Sequence, residues 1–205
     1  MESAIFGLIG VIVGAVLTAL REAWFQQKKM EKEREYLAIR VAGELEAFVA
    51  GCREVAGDDG LYRGETDENG YHTVQVDAPT LELGKLNVEW KSLDVSLMYE
   101  VLDFPLQIAL AASHVASSYK HAFPPEYDDF FEERRYQYSL LGLSASSLAA
   151  RLRANVGLSP KPEPEGDFTP LNYMRETVRK SELTRLALRN SPWNQAPVID
   201  QEADR

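Results

Sequence analysis

Few residues of this chain carry the side chains on which common metal chemistries depend. It has one cysteine, Cys52, and three histidines, His72, His114 and His121. A lone cysteine cannot form a disulfide within the chain, which agrees with a reducing compartment. The spacings Cys-x-x-Cys, Glu-x-x-His and His-Glu-x-x-His do not occur, so neither the common zinc patterns nor the di-iron bundle signature is present. We therefore predict no metal ligand and no cofactor.

The sequence also lacks the short motifs of nucleophilic and nucleotide-binding enzymes. It contains no Gly-x-Ser-x-Gly elbow, no Walker A loop and no Gly-x-Gly-x-x-Gly turn. Cys52 falls on an apolar helical stripe, where an inert packed thiol is typical. No catalytic residue is assigned on this basis, and the chain is expected not to be an enzyme.

Positive charge is scarce in the middle of the chain. The formal net charge is −10, and residues 58–170 carry nineteen acidic side chains against nine basic ones. Nucleic-acid binding requires a basic face that neutralises phosphates. The acidic middle therefore argues against a nucleic-acid partner and is typical of a solvated surface.

What the chain does have is a long apolar run at its start. The segment 3–20 contains no charge and no proline. As a helix it would extend roughly 27 Å, close to the hydrocarbon thickness of a bilayer. A secretory signal peptide would carry basic residues before the run, whereas only Glu2 precedes it. We therefore predict a transmembrane anchor over residues 1–22.

The charges that flank this run predict its orientation. Basic residues cluster just after it, namely Arg21, Lys28, Lys29, Lys32 and Arg34. The positive-inside rule then places the N-terminus outside and residues 21–205 in the cytoplasm, so that the chain is predicted to be a single-pass membrane protein. Trp24 and Phe25 fall where aromatic rings anchor a helix at the membrane interface.

One face of the predicted span consists of small residues. They recur at helical spacing and are Ser3, Gly7, Gly10, Gly14 and Thr18. In lipid such a face lets two helix backbones approach closely. This favours self-association, or pairing with another membrane protein, although glycine is also simply common in membrane helices.

After the anchor the pattern predicts a helix to about residue 57 and then a hairpin. Residues 23–36 are mostly polar and are predicted to form a juxtamembrane stalk. An apolar stripe follows, consisting of Leu37, Val41, Leu45, Phe48, Cys52 and Val55. Aromatic and β-branched residues around the Asn69-Gly70 turn signal predict a small β-hairpin at about 61–77.

Two further long helices are predicted in the second half of the chain. The first covers 87–121, is capped by Ser92 or Asp94, and has a kink or break near Phe104 because Pro105 follows. The second covers 126–156. A proline-rich linker (158–170), an amphipathic helix (171–190) and a disordered tail (191–205) complete the chain. The predicted fold class is mainly α: a transmembrane helix continues into a long helix of a three-helix bundle-like domain (37–157) with a hairpin insertion.

An acidic run at the start of the 126–156 helix offers an alternative interpretation. Its acids, within 128–133, are Asp128, Asp129, Glu132 and Glu133. Together with His114 or His121 they would suit a ligand-binding or metal-binding bundle, or an enzyme, if all converged on one buried pocket. Acids in a first helical turn also stabilise the helix without any further role.

Two stretches resemble a group of known proteins. Residues 88–94 with 97–99, and residues 124–134 with 136–138, are similar to uncharacterised bacterial proteins that carry one N-terminal membrane helix. The resemblance covers residues 1–157. It implies a bacterial, helical, membrane-anchored protein and brings no assigned activity.

Together these patterns predict a membrane-anchored helical interaction or scaffold module. Its expected partners are the lipid bilayer and either further copies of the chain or another membrane or cytoplasmic protein. A channel is disfavoured, because a single uncharged span per chain supplies no polar pore lining.

Overall fold

The chain is mainly helical, as the sequence predicts. The computed structural model describes residues 2–159, 161–162 and 169–191, with side chains from Gly14 onward. Most of the predicted linker and residues 192–205 of the predicted tail lie outside these ranges. The described helices are α1 (Glu2–Ala56), α2 (Val95–Tyr119), α3 (Asp128–Asn155) and α4 (Pro170–Arg189), with short 3-10 turns at Leu83–Lys85 and Trp90–Ser92.

The first helix, α1, is far longer than the part of it that packs. Its 55 residues correspond to about 80 Å of helix. The side chains of residues 14–32 are all exposed, and burial begins at Leu37. From there the predicted apolar stripe, Leu37 to Val55, is buried against the other helices. The bundle therefore holds only the C-terminal third of α1.

The central helix of the bundle is α3, which touches α1, α2 and α4. It runs antiparallel to α1, because Arg134 near its start pairs with Asp58 and Arg153 near its end pairs with Glu46. It also runs antiparallel to α2, since Ser118 Oγ donates to the Asp129 carbonyl at 2.9 Å and Arg151 pairs with Glu100.

The second helix, α2, lies alongside α1 in the same direction. Near its start the Arg34 Nε donates to the Ser92 carbonyl at 2.9 Å, and further along the rings of Phe48 and Phe104 meet edge to face at 5.7 Å. The Asp94 side chain caps α2 by accepting from the Ser96 amide at 3.0 Å. Because the two helices are parallel, the start of α2 is the end nearest the N-terminal part of α1.

Of the predicted kink or break near Phe104, the break is wrong, because α2 continues through Pro105. Proline inside a helix costs about 3 kcal/mol through its missing amide and its steric clash. Core side chains on both sides of Pro105 outweigh that cost: Val101 and Phe104 before it, and Ala111 and Val115 after it, are buried.

The N-terminal part of the last helix, α4, packs on the bundle. Thr169 caps it by accepting from the Asn172 amide at 3.1 Å, and Met174 is fully buried. A Cβ at Gly142 of α3 would lie 2.7 Å from the Met174 sulfur, so glycine there lets α4 pack closely. Further along α4, Leu183, Leu186 and Leu188 remain exposed.

The predicted β-hairpin at 61–77 does not form. Residues 2–159 contain no strand, and the segment has one isolated bridge between Tyr62 and Glu65. The turn itself is present, with Gly70 at φ +82° and the Asp67 side chain accepting from the Asn69 and Tyr71 amides. The second half of the segment is bonded elsewhere: the Thr73 amide donates to the Gly60 carbonyl at 2.9 Å, which leaves no partner strand to pair with.

Candidate functional site

A buried ion pair joins the end of α1 to α3. The Arg134 Nη1 lies 2.8 Å from Asp58 Oδ2, and the side chains of Arg134 and Asp58 are 5% and 0% exposed. The same carboxylate accepts from the amides of Gly60, Gln75 and Val76 at 3.0–3.1 Å. We call these five residues the Asp58 cluster.

The Asp58 cluster has a structural role rather than a chemical one. Arg134 also donates through Nη2 to the Val76 carbonyl, so both charged groups have several hydrogen-bond partners. A buried charge is tolerated when it is paired and its remaining hydrogen-bonding capacity is satisfied. The cluster therefore fastens the loop after α1 onto α3.

The sequence patterns do not predict this cluster, and they assign no role to Asp58 or Arg134. No local pattern marks the pair, because its members lie 76 residues apart. The one available signal was an arginine at a position in phase with the buried residues Phe131 and Tyr138.

Three of the four acids and both histidines of the alternative interpretation line one groove, which we call the histidine groove. It lies between α2, α3 and α4, has a volume of about 690 Å³, and is lined among others by His114, His121, Asp129, Glu132 and Glu133. Glu133 is already engaged by Arg185 at 2.5 Å. The other four side chains are exposed, and Asp128 is exposed outside the groove. In the described part of the chain, no three His, Cys, Asp or Glu side chains are placed to hold a metal ion.

The lone cysteine is buried, as its position on the apolar stripe predicts. Burial raises the pKa of the Cys52 thiol to about 12 from its ordinary 9.0. A thiol reacts as the thiolate, so this shift keeps Cys52 unreactive at neutral pH. Its place beside Gly142, at the contact of α1 with α3, fits a packing role.

The predicted interface anchors lie on the exposed part of α1. The rings of Trp24 and Phe25 pack edge to face at 5.3 Å, and each is about half exposed. Lys28 Nζ lies 4.9 Å from the Trp24 ring centroid, and the Arg21 guanidinium lies 5.4 Å from that of Phe25. This stretch therefore presents large aromatic surface together with positive charge.

Two members of the predicted packing face, Gly14 and Thr18, lie among the residues whose side chains the structure describes. The side chains at Ser3, Gly7 and Gly10 lie outside the described residues. At Gly14 a Cβ would meet nothing within 4 Å, and the Thr18 hydroxyl donates to the Gly14 carbonyl at 2.9 Å. The described end of this face is therefore open, and its hydroxyl is satisfied within the helix.

An apolar face on α2 was not foreseen. Its members are Val95, Tyr99, Leu102, Leu106 and Leu110, which we call the α2 outer face; they are 50–73% exposed. By length and composition alone α2 is apolar enough to cross a bilayer, with a mean hydropathy of 1.3 and 22% of its most apolar window buried. Core helices of soluble proteins meet the same criterion. The predicted N-terminal span, most of whose side chains lie outside the described residues, stays a prediction.

No family model, curated protein or solved structure matches this chain.

Proposed function

We propose that this protein is a single-pass membrane protein whose helical bundle is a cytoplasmic interaction module. The observation that carries the proposal is the exposed part of α1. The side chains of residues 14–32 are all exposed, although they include the large apolar side chains Val16, Leu17, Leu20, Trp24 and Phe25, each more than half exposed. Such a surface is stable when a bilayer or a partner covers it.

The details of this stretch agree with a membrane boundary. The uncharged run 3–20 ends at Arg21, and the aromatic pair Trp24–Phe25 follows directly, with Lys28 and Arg21 over its rings. Aromatic side chains concentrate at the headgroup level, and basic side chains favour the cytoplasmic side. The internally bonded Thr18 hydroxyl suits a hydrocarbon environment, in which every polar group needs a partner.

The absence of catalytic motifs from the sequence supports an interaction role for the bundle. The expected partner is a second copy, held through the face of Ser3, Gly7, Gly10, Gly14 and Thr18, or another membrane or cytoplasmic protein. The charges flanking the run favour an outside N-terminus. The resemblance to bacterial membrane proteins favours a bacterial inner membrane as the location.

Alkaline carbonate extraction of membranes from cells producing the full chain tests the anchor. The wild-type chain should stay in the membrane pellet, and a variant with Val11→Lys and Val13→Lys should be released. A membrane-impermeant maleimide then tests orientation, because Cys52 is buried and unreactive. In intact cells it should label Ser3→Cys and leave Gln201→Cys unlabelled. Release of the wild-type chain by carbonate, or the reverse labelling, would contradict the proposal.

A ligand-binding bundle is the second candidate, and one observation favours it. His114, His121, Asp129, Glu132 and Glu133 all line the histidine groove, an exposed groove rather than the buried pocket that the alternative interpretation requires. Zinc ions and inorganic phosphate are suitable probes, read out as a shift in melting temperature of the full chain. A rise that disappears in His114→Ala and His121→Ala, but persists in His72→Ala, would favour this candidate.

A further inference from the structure

The α2 outer face lies directly opposite the side of α2 that packs in the core. At 100° per residue its five members cluster in one sector, and the buried residues Leu97, Val101, Phe104, Ala111 and Val115 cluster in the opposite one. The helix is therefore apolar on two sides, and only one of them is covered within the chain. Each uncovered side chain is at least half exposed.

The first four members of the α2 outer face have the spacing of a helix–helix seam. Positions 95, 99, 102 and 106 are separated by four, three and four residues, the heptad rhythm by which two helices pack with a slight left-handed crossing, and Leu110 lies beside the continuation of this line. No charged residue falls on this line. Asp103 and the Glu100–Arg151 pair lie to one side of it, so two identical faces can meet without opposing like charges.

The size of the face matches what a dimer needs. Covering the exposed part of a large apolar side chain removes up to about 100 Å² from water, so the five members of the face supply at most about 500 Å². The flanking residues of two packed helices bring this toward the roughly 800 Å² per partner of a standard interface. An exposed apolar patch of several hundred Å² is also unusual on a monomer.

A bilayer does not suit this face as well as a helix does. If α2 crossed a membrane, α3, which packs along it, would enter with it and carry Asp129, Arg134 and Arg151 into hydrocarbon at high cost. Lying flat on a membrane is also excluded for an anchored chain, because α2 runs parallel to α1 and thus along the membrane normal.

We propose that the α2 outer face is covered by the same face of a second copy of this chain, with the two α2 helices parallel. The parallel direction rests on the proposed function, because two anchors in one membrane must point the same way. Anchoring also raises the effective concentration of one bundle near the other. The pair of bundles is then an isologous dimer around an axis between the two α2 helices.

Cysteine cross-linking of the full chain in its membrane tests both the face and the direction. Val95→Cys and Leu102→Cys should each form a disulfide-linked dimer under mild oxidation at least about tenfold faster than Leu183→Cys. Leu183 is a matched control, since it is an exposed leucine (54%) on α4. Cross-linking at Leu102→Cys without Val95→Cys would mean antiparallel copies, and equal rates at all three positions would mean no specific pairing; either overturns the proposal.

Native mass spectrometry in mild detergent gives the second readout. With Gly14→Ile in every chain to disrupt the small-residue face of the anchor, the otherwise unchanged chain should appear as a dimer, the chain that also carries Leu102→Asp and Leu106→Asp mainly as a monomer, and the chain that also carries Leu183→Asp as a dimer. A persistent dimer with both aspartates, or an otherwise unchanged chain bound to a different polypeptide, would overturn the proposal. Carbonate extraction distinguishes failure of the proposed anchor from failure of the proposed dimer. If the chain leaves the membrane but still cross-links at both α2 positions, the dimer is supported and the anchor is contradicted.

Discussion

Asp58 and Arg134 meet at 2.8 Å although 76 residues separate them, and neither side chain is more than 5% exposed. This contact ties the C-terminal end of α1, the loop at 75–76 and the first turns of α3 to one another. It is the one fully buried ion pair in the described part of the chain, because the others lie nearer the surface.

Removing the arginine should therefore destabilise the fold. Arg134→Met leaves the Asp58 carboxylate buried without its counter-charge, which typically costs about 3–5 kcal/mol of unfolding free energy. Urea unfolding followed by circular dichroism measures the change. Arg179→Met, which breaks the exposed pair with Glu176, is the control and should leave the midpoint nearly unchanged. Equal midpoints for both variants would show that the buried pair contributes nothing.

Alanine substitution at two glycines should change the stability of the fold in opposite directions. Gly43→Ala adds a methyl group that meets nothing within 4 Å, and should stabilise the helix by about 0.5–1 kcal/mol. Gly142→Ala places its Cβ 2.7 Å from the Met174 sulfur and 3.0 Å from the Cys52 Cβ, so it should be destabilising despite the same gain in helix propensity. Urea unfolding compares them, and equal stabilisation by both would contradict the close packing of α4.

The buried hydroxyl of Ser139 offers a stabilising substitution. Its Oγ has no hydrogen-bond partner among the described residues. An unsatisfied buried polar group costs about 1–3 kcal/mol, so Ser139→Ala should raise the unfolding free energy by about 1 kcal/mol. Ser144→Ala, at an exposed position of the same helix, controls for helix propensity. A loss of stability in Ser139→Ala beyond that control would mean that the hydroxyl has a partner in solution.

Cys52 should make stability fall at alkaline pH. Its folded pKa of about 12 lies above the ordinary 9.0, so between these values the unfolded chain releases a proton that the folded chain keeps. Stability is then unaffected below pH 9 and decreases as the pH rises toward 12. Urea midpoints of the wild-type chain and Cys52→Ala should converge as pH rises through this window. A constant difference between them would contradict the raised pKa.

The helices were predictable because their signals are local. The stripe from Leu37 to Val55 identifies the packed face of α1 within one stretch of chain, and all of it is buried. The hairpin failed for the opposite reason. Its turn signal at Asn69-Gly70 is correct, but the amides of Gln75 and Val76 bond to Asp58, a competitor that no local pattern reveals.

The α2 outer face shows a second limit of pattern reading. Neighbouring apolar residues of this helix have opposite environments, because Val95 and Leu102 are exposed whereas Val101 is buried. When a helix is apolar on two sides, its sequence pattern does not indicate which side is buried within the same chain. Only the position of α3 decides that, and it depends on contacts far apart in sequence.

The unbroken course of α1 has a consequence for how its two ends are related. Because one helix connects the first residues to the bundle, the azimuth of the bundle is set by the number of residues between them. One extra residue within 26–35 would rotate the bundle by about 100° and shift it by about 1.5 Å, whereas seven would rotate it by only about 20°. The length of this segment thus sets the rotation of the bundle relative to the first residues of α1. Insertions of seven residues nearly preserve that rotation, and insertions of one or two do not.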